Sequence, residues 1–507
     1  MSEPPVCVGS GTLLGVDAVP VTIEVKLRGE AGTPRLLGLV GPAIREAYHR
    51  VLDAFAAEDL PAPRGVPVVN FVPAGLPKDG TGFDLPLALA LAGAAGMFPP
   101  ERCHGLAAYG EVSLRGRVIA APGSVSMALA ARAARWQTLL LHPRDAALAA
   151  LVPGIDVLGV RSLREAVLWL RGEHHVADTP ARLPEDRGAV PDLGEISGHE
   201  TPKRALAVAA AGRHNVLFVG PPGSGKSALV RRLPGLLPPL AAGEALEVLK
   251  IHSVNGAIDS AAVRPVRAPH HSSSTASLLG GGKSVRPGEV TLAHLGVLFL
   301  DELPEFRREA LEGLRQPLED RFITIGRAER IVTMPADCVL VAAMNPCPCG
   351  YHGHPTRACT CSLVVQRRYL GRVSGPLLDR IDVQVPVPSL PASALRVAPP
   401  PSWSTAPLRE RVLVALERQR RRNGGDAGGF VANGRLPARR LREVVGATSA
   451  VLDAVDAVIT TYRMSGRGRV RLLRLARTLA DLDDRDEVSE DDVLEAASLR
   501  RAETLLH

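Results

Sequence analysis

One short segment combines residue types that can hold a polyphosphate. The strand-like run Asn215 to Val219 is followed at once by Gly220-Pro221-Pro222-Gly223-Ser224-Gly225-Lys226-Ser227, and then by the helical Ala228 to Leu233. Glycines allow backbone N–H groups to turn inward toward phosphate oxygens, Lys226 supplies a cation, and Ser227 offers a hydroxyl to magnesium. This is the P-loop pattern in the strand-to-helix context it needs, and it predicts ATP and Mg2+ as ligands. Further on, the apolar run Val297 to Leu300 ends in Asp301-Glu302, as a Walker B strand does. There Asp301 would hold magnesium through water, and Glu302 would orient or deprotonate the attacking water. An ordinary strand ending in a solvated acidic turn is the alternative. A third apolar run, Val339 to Ala343, leads to Asn345, whose amide could meet the terminal phosphate or the attacking water; alone, an Asn before Pro346 is more often a turn residue. The order of the three motifs favours a sensor asparagine.

The cysteines suggest a second chemistry. Cys347-Pro-Cys349 and Cys359-Thr-Cys361 form two C-x-C pairs, with His352 and His354 between them. Four thiolates can make a tetrahedral zinc site, although C-x-C is tighter than the usual ligand spacing. A reduced, buried cysteine cluster is the other reading. Seven cysteines in all do not suggest a disulfide framework, and Cys7, Cys103 and Cys338 read as core packing.

These residues need a large scaffold. The 507 residues are 46% hydrophobic and 22% charged, which excludes wholesale disorder and suggests about three domains. Residues 1–172 alternate β-branched runs (Val21 to Val25, Val68 to Val72, Val157 to Val160) with Ala/Leu-rich helical stretches, as one mixed α/β domain. Residues 173–192 lose apolar periodicity and read as a linker. Residues 193–390 alternate strand and helix as a three-layer α/β ATPase core, with the Cys-rich insertion at 347–361. A Pro-rich connector at 391–407 leads to a basic, α-helical lid at 408–507. The longest apolar stretch, Leu85 to Phe98, is 14 residues and short of the roughly 20 a membrane helix requires. No membrane partner is expected, and the Met1 to Ser10 segment lacks a secretory pattern, so a cytoplasmic protein is expected. A net charge of +7 permits a polyanionic partner, while 3% aromatics argue against base stacking. Any DNA contact should be to phosphates and tolerant of sequence.

Six segments are together distinctive: Gly198-His-Glu200, Arg267-Ala-Pro-His-His271, Arg286-Pro-Gly-Glu289, Leu300-Asp-Glu-Leu-Pro-Glu-Phe306, Asn345-Pro-Cys-Pro-Cys-Gly350 and Ser374-Gly-Pro-Leu-Leu-Asp-Arg-Ile-Asp382. They resemble the ComM/YifB family of magnesium-chelatase-like AAA+ ATPases over nearly the whole chain. The resemblance implies a bacterial homo-oligomer, a hexameric ring with ATP between protomers, that drives branch migration on DNA in natural transformation. It implies an arginine finger, Arg380, supplied in trans from Leu377-Leu378-Asp379-Arg380-Ile381-Asp382. It also implies a sensor 2 arginine in Ser465 to Arg474, assigned to Arg467 with Arg474 as alternate, and a DNA-gripping pore hairpin at Phe322 to Val332 carrying Arg327 and Arg330. For each of these arginines an ordinary surface role is the competing reading.

The N-terminal domain is similar to the Lon proteolytic domain, a fold of the ribosomal S5 type. The nucleophile's position is Gly82, and where the base lysine would fall stands Val125, so the Ser/Lys dyad is missing and hydrolysis has no chemistry to run. Two other activities share such a core: magnesium insertion into a porphyrin with partner subunits, and AAA+ protein remodelling.

Overall fold

Long alternating runs open the chain and pair with each other. In the computed structural model, residues 4–29, 32–181, 190–256, 263–282, 285–327, 330–397, 399–424 and 430–500 are described, with the backbone alone at Arg327, Arg330 and Arg442. The chain forms two compact units.

The first unit is a mixed sheet with helices. Its elements are β1 (Val6–Leu14), β2 (Asp17–Arg28), β3 (Arg35–Leu37), α1 (Pro42–Ala57), β4 (Val66–Val72), α2 (Asp84–Ala94), β5 (Leu106–Ala108), α3 (Ser124–Ala133), β6 (Thr138–Leu141), β7 (Asp156–Gly159) and α4 (Leu163–Arg171). The strand order is β3-β4-β2-β1-β5-β6-β7, antiparallel where β2 meets β1 and β4 and parallel elsewhere. Helix α2 is apolar on every face and buried along its length except at its C-terminal end, the pattern of a helix in the middle of a core.

Two observations change the expected organisation. Helix Ala242–Val254, which the sequence reading kept within 193–390, belongs to this first unit: Gly123 N–H donates to Ser253 O at 2.9 Å, Lys250 Nζ lies 2.7 Å from Asp17 Oδ1, and Leu249 is buried in the cluster formed with Val125 and Ala128. The start of the expected 173–192 linker also packs here. Val176 is buried, Asp178 bridges Leu158, and Gly159 N–H donates to Thr179 Oγ1 at 3.1 Å. The cause is the exposed edge of β7, whose free backbone groups recruit the passing chain.

The two positions compared with a Ser/Lys dyad are closed by packing. A Cβ added at Gly82 would lie 2.1 Å from the Tyr109 ring, whose hydroxyl donates to Pro122 O at 3.1 Å, and Val125 is fully buried. Lys78 is buried too, its ammonium donating to the carbonyls of Gly38 at 2.9 Å, Phe71 at 3.0 Å and Pro73.

The second unit is built on α5 (Glu200–Gly212), β8 (Val216–Val219), α6 (Lys226–Val230), β9 (Val266–Arg267), β10 (Val297–Leu300), a hairpin of β11 (Phe322–Arg327) and β12 (Arg330–Pro335), β13 (Val339–Met344) and β14 (Val383–Pro386). Its sheet is fully parallel in the order β9-β10-β13-β8-β14. Strands β8, β10 and β13 are buried at every residue, which is why they read as unbroken apolar runs. Helices α7 (Thr405–Asn423), α8 (Ser449–Tyr462), α9 (Gly466–Leu482) and α10 (Glu490–Ser498) share one hydrophobic cluster with the sheet and α5. Buried Gln419 donates to Ala211 O at 3.0 Å, and Arg204 on α5 forks onto Asp483 and Glu495. The described helices of the expected region at 408–507 therefore share a core with α5.

Placing a serine at position 82 should damage the fold rather than create a protease. Gly82→Ser is expected to lower stability by about 1–3 kcal/mol, from overpacking against Tyr109, read as a lower urea midpoint, with no peptide hydrolysis gained.

Candidate functional site

The C-terminal edge of the parallel sheet brings four of the expected site residues together. Gly223 and Gly225 have φ of +76° and +90°, turning the loop after β8 into the start of α6. Lys226, only 8% exposed, donates to Gly220 O at 2.7 Å, Pro221 O at 2.8 Å and Asn345 Oδ1 at 3.2 Å. Burial pushes its pKa down, while Asp301 and Glu302 pull it back up. Ser227 Oγ donates to Asp301 Oδ2 at 2.7 Å. Thus β8, β10 and β13 deliver the loop, the acid and the asparagine to one point.

This arrangement fits a polyphosphate. Lys226 spends its charge on neutral carbonyls, which an anion could replace, and two buried polar atoms beside the loop, Ser224 Oγ and His199 Nδ1, have no partner among the described residues. His199 lies against Ser224 and Gly225; burial, then the charge of Lys203, lowers its pKa and favours the neutral ring.

Glu302 adopts φ +52°, a left-handed backbone uncommon for this residue type. Its carboxylate is 3.2 Å from His271 Nδ1, and His271 stacks on His270 at 4.1 Å. The same segment is anchored by Arg267, which forks onto Glu289 at 2.6 and 2.9 Å. His271 was quoted in the sequence without a role, and only the fold places it against Glu302.

Arg380 and Arg467 are not brought to this site. Asn215 and Asp382 immediately precede β8 and β14, so they mark the opposite edge of the sheet, about 13 Å of strand away from the loop. There a 320 Å³ cavity is lined by Arg321, Arg380, Arg435, Arg467, Arg471 and Arg474, with Glu319 and Asp382 as its acids among the described residues. Arg380 pairs with Glu319 and donates to Pro376 O at 2.8 Å, and its Nε has no partner among the described residues. Arg467 is 62% exposed and 3.9 Å from Glu319. The alternate, Arg474, is engaged with Leu436 O at 2.9 Å. Burial and then the charge of Arg435 push Arg321 down to about 10. Ser465 caps α9 by accepting from Gly468 N–H at 3.2 Å, so Arg467 stands in the first turn, where the helix dipole favours anions.

The four cysteines of the insertion converge. Their sulfur atoms all lie within 4.8 Å of one another, with Cys347 to Cys349 at 3.3 Å, Cys347 to Cys359 at 3.6 Å and Cys349 to Cys359 at 3.5 Å. Of the other three, Cys103 and Cys338 are buried as expected, while Cys7 is half-buried.

Comparison with known proteins agrees with this architecture. Residues 192–395 match the family described as magnesium chelatase, subunit ChlI, residues 402–500 its C-terminal family, and residues 23–145 the family described as subunit ChlI of Mg-chelatase. An uncharacterized protein of Mycobacterium tuberculosis H37Rv is 39% identical over 492 residues, 96% of this chain and 97% of its own. YifB of Escherichia coli K12 is 35% identical over 496 residues, 97% of this chain and 96% of its own. Competence protein ComM of Haemophilus influenzae Rd is 36% identical over 502 residues, 97% of each. The chain belongs to the ComM/YifB family of magnesium-chelatase-like proteins.

For this ComM/YifB-family chain, the parallel sheet with C-terminal helices is the AAA+ type of core. The hairpin anticipated from Phe322 is present in the backbone, with register Phe322↔Pro335 through Arg327↔Arg330. Its tip, residues 328–329, and the side chains of Arg327 and Arg330 lie outside the described residues. No helix among the described residues is long and apolar enough to cross a membrane.

Beneath the arginine cavity, Asp382 is 3.4 Å from both His214 Nδ1 and Arg471 Nε, and Arg471 also meets Asp379 at 2.7 Å. Burial pushes the Asp382 pKa up, but His214, Arg471 and Arg435 outweigh it and hold the carboxyl well below the usual range. A depressed carboxyl stabilises the fold above its unfolded pKa, near 3.9, and loses that contribution as pH falls toward the folded value. Asp382→Asn should therefore cost about 3–5 kcal/mol at pH 7, by removing the buried carboxylate that faces Arg471 and His214. The gap from wild type in urea midpoint should narrow below about pH 4.

Proposed function

We propose that the chain is a cytoplasmic ATPase that assembles into a ring of identical subunits, a hexamer, and uses ATP hydrolysis to drive branch migration of DNA recombination intermediates. The observation that carries the ATPase part is the meeting of Lys226, Ser227, Asp301 and Asn345 at one sheet edge. The loop from Gly220 to Gly225 would cradle the phosphates with backbone N–H groups, and Lys226 would exchange its carbonyl partners for phosphate oxygens. Ser227 and Asp301 would hold magnesium, which supplies charge neutralisation when bound. Glu302, steadied by His271, would take a proton from water as its oxygen bonds to the terminal phosphorus and the bond to ADP breaks. Asn345 would hold that water or the terminal phosphate.

Neither Arg380 nor Arg467 lines this chain's own phosphate site. Arg380 and Arg467 share a cavity at the far edge of the sheet, which supports their acting on a neighbouring subunit's nucleotide, with Glu319 as their resting partner. The DNA reading rests on the likeness to a protein named for competence, on the positive net charge, and on the hairpin bearing Arg327 and Arg330, which would touch phosphates without reading sequence. The N-terminal unit, with Tyr109 filling the place of a nucleophile, would serve as a non-proteolytic, Lon-like collar.

ATP hydrolysis measured alone and with a four-way DNA junction, linear duplex, single strands or unfolded polypeptide tests this reading. Junction-stimulated turnover that vanishes in Lys226→Ala is expected. Turnover indifferent to every DNA contradicts the motor, and stimulation by unfolded polypeptide would favour protein remodelling. Glu302→Gln should keep ATP binding and lower kcat by roughly 10²–10⁴-fold.

A further inference from the structure

We propose that Cys347, Cys349, Cys359 and Cys361 bind one zinc ion, and that the resulting knot holds the P-loop in shape through contact between Gly350 and Pro222. A tetrahedral ion with Zn–S near 2.3 Å spaces its sulfurs about 3.8 Å apart. Three of the separations, 3.3, 3.5 and 3.6 Å, lie just inside that edge, and Cys361 completes the set within 4.8 Å. All are far longer than the roughly 2.05 Å of a disulfide.

The segment has little else to hold it. From Tyr351 to Ser362 no residue is buried, so it has no apolar core, the situation in which small folded segments rely on a metal. Its loop is shaped by polar contacts: the Arg357 guanidinium sits 4.0 Å over the Tyr351 ring, and His354 Nδ1 accepts from Thr356 N–H at 3.2 Å and Arg357 N–H at 3.1 Å. Gln366 Nε2 donates to Cys361 O at 3.0 Å, closing the far end.

The knot reaches the P-loop at two points. Asn345 meets Lys226 at 3.2 Å, and two residues later Cys347 is buried. Gly350, at φ +83°, approaches so closely that an added Cβ would lie 2.4 Å from Pro222 Cδ. A rigid proline ring cannot step aside cheaply, so the position of Gly350 sets that of Pro222. The inference rests on reading Gly220 to Ser227 as a nucleotide site.

The test uses the full-length protein, with metal analysis and binding of a fluorescent ADP analogue. One zinc per chain is expected, lost in Cys359→Ser together with a roughly tenfold or greater weakening of nucleotide binding, since small misplacements at such sites have large effects. Gly350→Val should keep its zinc and weaken nucleotide binding similarly, and stripping wild type with a zinc chelator covers the case in which Cys359→Ser does not fold. Wild type that takes up no zinc, or zinc-free protein that binds the analogue as wild type does, overturns the proposal. Lys226→Ala in the same assay separates the two readings: undiminished binding there would refute the nucleotide site and leave the zinc count standing.

Discussion

Burying the Lys226 ammonium at the edge of a parallel sheet constrains everything around it. A buried cation must be solvated by the protein, and here Gly220 O, Pro221 O and Asn345 Oδ1 do so. Those acceptors come from the loop after β8 and the end of β13, so the site exists only while the two strands keep their register, Val216 to Val341 and Val219 to Met344. The same register brings β10 alongside and sets Asp301 against Ser227. A neutral-carbonyl cage is also replaceable, which is what a phosphate-binding lysine needs.

The second constraint is that the parallel sheet has two different ends. Strand C-termini gather the loop, the acids and the asparagine, whereas the residues before β8 and β14 lie under a cavity dominated by arginine. A surplus of guanidinium groups beside a helix N-terminus is a standing attraction for an anion. Within one chain, Glu319, Asp379 and Asp382 balance part of it. In a ring, the same face would be presented to the next subunit's phosphates.

The apolar strands and the P-loop were legible in the sequence because a fully buried strand and a phosphate cradle each demand residue types that leave a local mark. Asn345 was legible only through the order of motifs, since its partner Lys226 is remote in the chain. The pairing of Glu302 with His271 left no local mark, because neither residue type announces the other. Helix Ala242–Val254 fell inside the expected 193–390 core because periodicity does not name the surface a helix packs against, and its place on α3 emerged from the fold alone. Likewise the polar stretch after Glu173 gave no apolar signal, yet the open edge of β7 captured it through a backbone bridge at Asp178 and the Thr179 hydroxyl, contacts that need no apolar side chain. The roles of Arg380 and Arg467 were inferred from resemblance, and the fold sets both residues in a cavity at the edge of the sheet opposite the P-loop.

The central claim is that each nucleotide is served by a P-loop from one subunit and by Arg380 from another. Mixing two inactive variants, Lys226→Ala and Arg380→Ala, and measuring ATP hydrolysis across their ratio tests it most directly. The account predicts that activity, absent from each variant alone, reappears in the mixture, because some interfaces then pair an intact P-loop with an intact Arg380. Mixtures that stay inactive at every ratio while still forming mixed assemblies, or full activity in Arg380→Ala alone, would contradict it.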